Sequence, residues 1–233
     1  MISLFLDGAD LATIHAFARD GAAGHVIQGF TTNPSLMRQA GVTDYERFAK
    51  ELLRLIPDRP ISFEVLADEP REMVRQGKRI ASWGDNVMVK IPIMNTRGVS
   101  MAPVIQELSA DGIEVNVTAV LDLADVQTAV GALEAGQGMG IVSVFAGRIA
   151  DTGRDPYKHM KQARKLMQSQ RLLWASPRQP LDVHLANDAR CHIITVTPAI
   201  LAKLPLFGKD LHDYTLETVR MFEQDGRAFG LTL

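Results

Sequence analysis

The stretch IEVNVTAVLDLADVQTAVGALEAGQGMGIVSVFAG, residues 113–147, decides the fold. It opens on an apolar run of strand character (113–120), places Leu123, Val126, Val130 and Leu133 at helical spacing up to Gly136, and closes on a second apolar run (141–147). Two such strands joined through a helix form a parallel pair with a right-handed crossover. Gly136, Gly138 and Gly140 follow the helix and precede the strand, the reverse of a dinucleotide-binding fingerprint, and read as a turn.

The same alternation extends in both directions. Strand-like runs recur at ISLFLD (2–7), HVIQGF (25–30), ISFEVL (61–66), NVMVKIP (86–92), LLWAS (172–176) and HIITV (192–196), eight in all with the two above. Helical period returns between them, as in Tyr45, Phe48, Ala49, Leu52 and Leu55 behind a Thr43-x-x-Glu46 capping box. Eight alternating units without a long Pro/Ser-rich linker suit a closed barrel better than an open doubly wound sheet. The expectation is therefore an α/β chain, a single (β/α)8 TIM barrel domain over 1–233. An additional amphipathic C-terminal helix over 210–225, striped by Leu211, Tyr214, Val219 and Phe222, is expected to be an oligomerisation contact.

Composition narrows the partner. The chain is 46% hydrophobic and 22% charged with a formal net charge of −2, which gives no basic field for nucleic acid or an anionic membrane and points to a small molecule. The single cysteine, Cys191, sits in an apolar run and reads as a packing residue in a reducing compartment. MISLFLD lacks a positive n-region and no 18 apolar residues run together, so no membrane insertion and a cytoplasmic location are expected. Histidines at 15, 25, 159, 184, 192 and 212 show no metal-ligand spacing, so no metal is expected; the ten methionines, with Trp83 and Trp174, read as packing.

Strands covered on both faces should be nearly continuous aliphatic, so the polar residues inside them need a reason. Asp7 closes the first strand, Glu64 interrupts the third, Lys90 the fourth, Asn116 and Thr118 the fifth, and Ser143 precedes Phe145 in the sixth. Alternation puts Val87, Val89 and Ile91 toward the helices and Met88 and Lys90 into the barrel, with Asp7, Glu64, Asn116 and Thr118 also opposite the aliphatic set. These groups converge at the C-terminal mouth, where barrels keep their chemistry.

A lysine enclosed by apolar walls loses solvation of its ammonium form, and a free amine attacks carbonyls. The resulting iminium is an electron sink that permits cleavage next to a ketone without a metal or other cofactor, with carboxylates moving the protons. Taken alone, a strand lysine more often makes a buried ion pair or snorkels to solvent. A lysine, two carboxylates, an amide and a hydroxyl on five strands look instead like a reaction site. Arg148 after the sixth strand, and Ser176 with Arg178 after the seventh, are placed to hold a phosphate, although lone loop arginines are usually solvated surface charges.

LFLDGAD (4–10), GFTTNPSL (29–36), FEV (63–65), VMVKIP (87–92), NVTAV (116–120), SVFAGRIADTGRDP (143–156) and ASPR (175–178) together resemble the transaldolases, especially the small transaldolase and fructose-6-phosphate aldolase group, over essentially the whole chain. That resemblance implies that Lys90 is the Schiff-base lysine and Asp7 the acid/base of carbon–carbon cleavage. It further implies that Glu64 and Thr118 bracket a catalytic water. Asn33 and Asn116 bind hydroxyls of the dihydroxyacetone unit, Thr31 supports them, and Ser143, Arg148, Ser176 and Arg178 line the donor hydroxyl and phosphate site. A homo-oligomer of five or ten subunits is implied as well.

Within the group, Glu64 and Phe145 match transaldolases where fructose-6-phosphate aldolases carry Gln and Tyr, which favours transfer of dihydroxyacetone between sugar phosphates over its release. Two departures stand out. Gly8-Ala9 replaces a small hydroxyl pair, and Pro177 replaces an aromatic between Ser176 and Arg178. A metal-dependent barrel aldolase would need ligands that the chain does not offer, and a non-catalytic sugar-phosphate-binding barrel would not need Lys90, Asp7 and Glu64 together.

Overall fold

Eight parallel strands close on one another in chain order: β1 (Ser3–Asp7), β2 (Gly29–Thr31), β3 (Ile61–Glu64), β4 (Val87–Pro92), β5 (Val115–Val120), β6 (Ile141–Val144), β7 (Arg171–Trp174) and β8 (Ile193–Val196), with β8 pairing back to β1. The computed structural model describes residues 2–21, 26–134, 136 and 140–230. Helices α1 (Leu11–Asp20), α2 (Pro34–Gln39), α3 (Tyr45–Leu55), α4 (Pro70–Ala81), α5 (Ala102–Ala110) and α6 (Leu123–Leu133) form the first part of the outer ring. They are followed by α7 (Ala146–Asp151), α8 (Pro156–Leu166), α9 (Leu181–Asp188), α10 (Pro198–Leu201) and α11 (Leu211–Ala228). The (β/α)8 barrel with a C-terminal helix is therefore the fold.

The two faces of the strands do different work. Val87, Val89 and Ile91 of β4 join the large apolar core between sheet and helices, as do Leu4 and Leu6 of β1 and Val115 and Val117 of β5. The alternate residues Phe5, Met88, Ile141, Leu173 and Ile193 form a separate cluster that fills the lumen, as the packed layers of a barrel require. Gly29 serves this plug: a Cβ there would sit 2.4 Å from the ring of Phe5, so only glycine lets β2 pass. Above the plug the inward positions turn polar, and β5 carries a register shift between Val117 and Val120 with Ala119 at φ +59°. Such a bulge re-aims the residues beside it, and here it turns Val120 to the outer core while Thr118 lines the mouth.

Several boundaries differ from the sequence reading. The second run was expected over 25–30, but β2 is Gly29–Thr31, which starts four residues later and ends one later, and His25 lies outside the described residues. Pairing of Phe5 with Gly29 and Asp7 with Thr31 sets that register. The run 141–147 stops as a strand at Val144, because the backbone turns into α7. The run 61–66 likewise ends at Glu64 and 172–176 at Trp174. Thr43 does not cap α3: Asp44 does, accepting from the Arg47 amide at 3.0 Å, while Glu46 pairs with Lys50 and Arg79 instead of closing a capping box. The C-terminal helix runs three residues past the expected 225, and the middle of the 136–140 turn, 137–139, lies outside the described residues.

Candidate active site

The polar residues that break the strand pattern meet at the C-terminal ends of the strands, around one cavity of about 490 Å³. Asp7, Thr31, Asn33, Glu64, Lys90, Thr118, Ser143, Phe145, Arg148, Ser176 and Arg178 all line it. Asn116 does not: it is fully buried, donating to Ser62 Oγ (3.1 Å) and accepting from Ser143 Oγ (2.6 Å), so it supports the cavity floor.

Lys90 is the centre of the arrangement. It is 6% exposed, rises from the middle of β4 above Met88, donates from Nζ to the Thr32 carbonyl (2.8 Å), and lies 3.1 Å from Glu64 Oε2. Strand pairing fixes the latter contact, since Glu64 and Lys90 are register partners on β3 and β4. The buried ion pair that a lone strand lysine would make is thus present, but it stands in a reaction-sized cavity with further polar groups. On the opposite wall Thr31 Oγ1 donates to Asp7 Oδ1 (2.8 Å) and lies 2.6 Å from Thr195 Oγ1. A hydroxyl has one proton, so Thr195 is the donor to Thr31. Asn33 caps α2 through its Oδ1 and turns Nδ2 toward Asp7 at 3.5 Å.

Burial pushes the Asp7 carboxyl above the usual carboxylate range, with the Lys90 charge and the Thr31 hydrogen bond opposing the shift and the Glu64 charge adding to it. A carboxyl held this way gives and takes protons more readily than a solvated one. Thr118 Oγ1 is buried and finds no hydrogen-bond partner among the described residues, a polar atom at the cavity wall placed to hold a substrate or water oxygen.

The far end of the cavity is built from the segments after β6 and β7. Gly147 at the start of α7 packs so closely on the next turn that a Cβ would lie 1.6 Å from the Ser176 carbonyl. Ser176 itself has φ +58°, a conformation that costs a non-glycine residue energy and that functional sites tend to keep. Arg148 stacks over Phe145, its guanidinium 5.6 Å from the ring centroid. Arg178 pairs with Asp151 of α7, while its backbone amide donates to the buried carboxylate of Asp182 at 2.6 Å.

Several contributors were not singled out from sequence. Thr195 and Thr197 line the cavity from the end of β8, and Thr195 could have been found, because it breaks HIITV on the same face as Ile193. Asp151 carries no such signal, since its contact with Arg178 is 27 residues away in sequence, and Asp182, in the first turn of α9, reads as an ordinary acidic helix start although it binds the amides of Arg178 and Gln179 just before it.

A lysine paired with a glutamate and faced by a raised-pKa aspartate, at the C-terminal mouth of a (β/α)8 barrel, defines the class: a barrel enzyme of the aldolase type. The chain matches the Transaldolase/Fructose-6-phosphate aldolase family over residues 4–231, and it belongs to that family. A "Probable transaldolase" of Streptococcus equi subsp. equi (strain 4047) is 32% identical over 232 residues, covering 98% of this chain and 99% of that protein. Another "Probable transaldolase", from Dehalococcoides mccartyi, is 31% identical over 205 residues, 86% of this chain and 89% of the other. Among solved structures, 3-hexulose-6-phosphate synthase from Salmonella typhimurium superposes with a TM-score of 0.60 at 17% identity, covering 86% of this chain and 93% of that one, which speaks to the fold alone.

Proposed function

We propose that the protein is a transaldolase that moves a dihydroxyacetone unit from a ketose phosphate, fructose 6-phosphate or sedoheptulose 7-phosphate, to an aldose phosphate through a Schiff base on Lys90. The observation that carries this reading is the placement of Lys90 between Glu64, at 3.1 Å, and the charge-coupled Asp7 on one cavity, within a chain of this family.

The cycle follows from those positions. Lys90 passes a proton to Glu64, which leaves a neutral pair and a nucleophilic amine without exporting charge from the buried site. The amine attacks C2 of the ketose, and the proton on Glu64 goes to the departing hydroxyl, which leaves as water into the cavity that Thr118 also lines. Asp7 then takes the proton of the C4 hydroxyl, the C3–C4 bond breaks, and its electrons move into the iminium, giving an enamine on Lys90 and a free aldose phosphate. Addition of the enamine to a second aldose phosphate returns the Asp7 proton to the new hydroxyl. Water then restores Lys90 and releases the new ketose.

Thr31 and Asn33 hold Asp7 in place, and Ser143 and Phe145 line the donor side of the cavity. The test is intact-protein mass after treatment with fructose 6-phosphate and borohydride, beside turnover with erythrose 4-phosphate as acceptor. A reduced dihydroxyacetone adduct that Lys90→Ala abolishes, with sedoheptulose 7-phosphate made only when acceptor is present, supports the reading. Free dihydroxyacetone in place of transfer makes the protein an aldolase, and no adduct makes it a binding barrel.

The reading includes a cytoplasmic enzyme working as a homo-oligomer, a pentamer or decamer as the family resemblance implies. Helix α11 supports the assembly: none of its residues is buried, and Leu211, Val219 and Phe222 are 78%, 57% and 64% exposed. Light scattering on the full chain, with Phe222→Glu as the dissociating variant, checks it.

A further inference from the structure

Lys90 has a second partner that the cycle does not yet use. Besides lying 3.1 Å from Glu64 Oε2, its Nζ donates to the backbone carbonyl of Thr32 at 2.8 Å. The two partners differ in kind. A carboxylate takes a proton from nitrogen and returns it, whereas an amide carbonyl accepts a hydrogen bond and leaves the proton where it is. The carbonyl is itself held in place. Thr32 follows β2, is fully buried, and sends both its amide (3.1 Å) and its Oγ1 (3.0 Å) to one acceptor, the Ser62 carbonyl of β3. The amide alone would satisfy that carbonyl, so the hydroxyl is a second tether on the residue whose own carbonyl faces Lys90. Ser62 stands just below Glu64 on β3 and pairs with Met88, just below Lys90, so one strand sets the height of all three groups.

The hydrogen balance of the reaction gives this contact its meaning. Condensation of an ammonium with a ketone turns NH3+ and C=O into NH+=C and water, so two of the three hydrogens on nitrogen leave with the carbonyl oxygen and one stays. Glu64 is placed to carry the two that leave, one before the amine attacks and one after. The third remains through the iminium, the neutral enamine formed on cleavage and the second iminium. In a buried site that N–H needs an acceptor at every stage. An ammonium that was merely satisfied by a nearby carbonyl would have no further use for it once the nitrogen became neutral.

Resting on the Schiff-base reading above, we propose that the Thr32 carbonyl is a catalytic group that keeps the one hydrogen remaining on the Lys90 nitrogen, with the Thr32 hydroxyl as its positioning tether. An imine nitrogen is planar. Once the side chain of Lys90 and the N–H direction are fixed, the direction of C2 is fixed too, so Thr32 sets the plane in which the ketose is presented to Asp7.

The experiment mixes dihydroxyacetone with the unaltered protein, Thr32→Val, Thr32→Ser and Thr32→Cys, quenches with borohydride at successive times, and follows the mass of the Lys90 adduct over a range of pH, beside a thermal melt of each. Thr32→Val keeps the shape and loses the tether, and its imine should form about two- to tenfold more slowly. The loss should be the same at every pH, because the carbonyl transfers no proton. Thr32→Ser should recover the rate, and Thr32→Cys, a weak donor, should fall between the two. A folded Thr32→Val with a lowered Tm and an unchanged rate of imine formation makes the hydroxyl purely structural and overturns the proposal. A loss confined to one limb of the pH profile places Thr32 on the proton path instead, and overturns it as well. If Thr32→Val does not fold, equal rates in Thr32→Ser and Thr32→Cys overturn it. Failure of the unaltered protein to form any adduct sinks the Schiff-base reading and this proposal with it, whereas an adduct there with no slowing in Thr32→Val sinks the proposal alone.

Discussion

Gly147→Ala tests the link between packing and function most sharply. The added Cβ would lie 1.6 Å from the carbonyl oxygen of Ser176 and 2.8 Å from its carbonyl carbon, and both are backbone atoms that cannot rotate away. Restoring an ordinary contact needs a separation of roughly 1.5 Å between the start of α7 and the turn after β7, an overpacking expected to cost about 1–3 kcal/mol. In a domain of this size that is a fall in Tm of about 2–12 °C. The displaced turn carries Ser176, whereas Lys90, Asp7 and Glu64 stand on other strands. Chemistry at the lysine should survive while the grip on the ketose weakens. A misplacement of this size corresponds to about a hundredfold loss in kcat/KM for fructose 6-phosphate, mostly in KM.

Gly131→Ala is the matched control, because a Cβ there, inside α6, meets nothing within 4 Å among the described residues. That substitution should stabilise by about 0.5–1 kcal/mol through helix propensity and leave turnover alone. The assay is a thermal melt, steady-state kinetics and borohydride trapping with dihydroxyacetone on all three proteins. Unchanged Tm and KM in Gly147→Ala would refute the claim that the missing Cβ is what lets the two segments meet.

Other outcomes follow from the titratable groups and the unpartnered hydroxyl. Asp7 has a raised pKa, so the folded chain binds its proton more readily than the unfolded chain does, and stability falls as pH rises from the unfolded value near 3.8 through the folded one. Asp7→Asn should therefore raise Tm at neutral pH while abolishing turnover, and a lowered Tm would contradict the assigned cause. Because Asp7 must be ionised to take the hydroxyl proton, the acid limb of kcat/KM should lie above the ordinary carboxylate range. At the other end of the barrel, His192 Nδ1 accepts from the Leu172 amide at 2.8 Å, and burial with Arg164 and Arg171 nearby lowers its pKa. The unfolded chain takes that proton first, so stability should fall as pH drops below about 6.5, with His159 adding to the same window. His192→Asn, which keeps an acceptor but does not titrate, should flatten the loss seen in melts between pH 7 and 5. Thr118→Val should leave Tm unchanged or raised by about 1 kcal/mol in equivalent stability, since the hydroxyl it removes has no partner among the described residues, yet slow turnover about tenfold or more.

Period-2 alternation made much of this legible in advance. In β4 it assigned Val87, Val89 and Ile91 outward and Met88 and Lys90 inward, and the two apolar clusters divide along that line. The rule failed where the backbone leaves ideal geometry. Residues after Thr118 could not be assigned, because the bulge at Ala119 changes the face of Val120 and nothing in NVTAV announces a positive φ at alanine. Asn116 obeyed the alternation and still does not line the cavity: inward-facing residues form layers, and the period gives the face but not the depth. Arg148 and Arg178 read alike as loop cations, and what separates them is one carboxylate, Asp151, whose contact depends on how α7 meets the turn after β7.

The barrel gathers several of its costs at one end. At the N-terminal ends of the strands Arg59 donates from Nη1 to the Ala18 and Ile27 carbonyls at 3.0 Å and Asn86 to those of Ile56 and Arg59 at 2.7 and 2.8 Å, while the buried Nε of Arg171 has no partner among the described residues. At the C-terminal ends stand the desolvated Asp7, the unpartnered Thr118 hydroxyl and the buried Lys90–Glu64 pair. Two of the three described non-glycine residues at positive φ, Ala119 and Ser176, also line the cavity there. Each of these features lowers stability by itself, and together they gather at the mouth that carries the cavity. A purely structural Lys90–Glu64 pair would explain neither the strain at Ser176 nor the open hydroxyl of Thr118. A site that must bind a ketone, move protons across it and release it again accounts for all of them together.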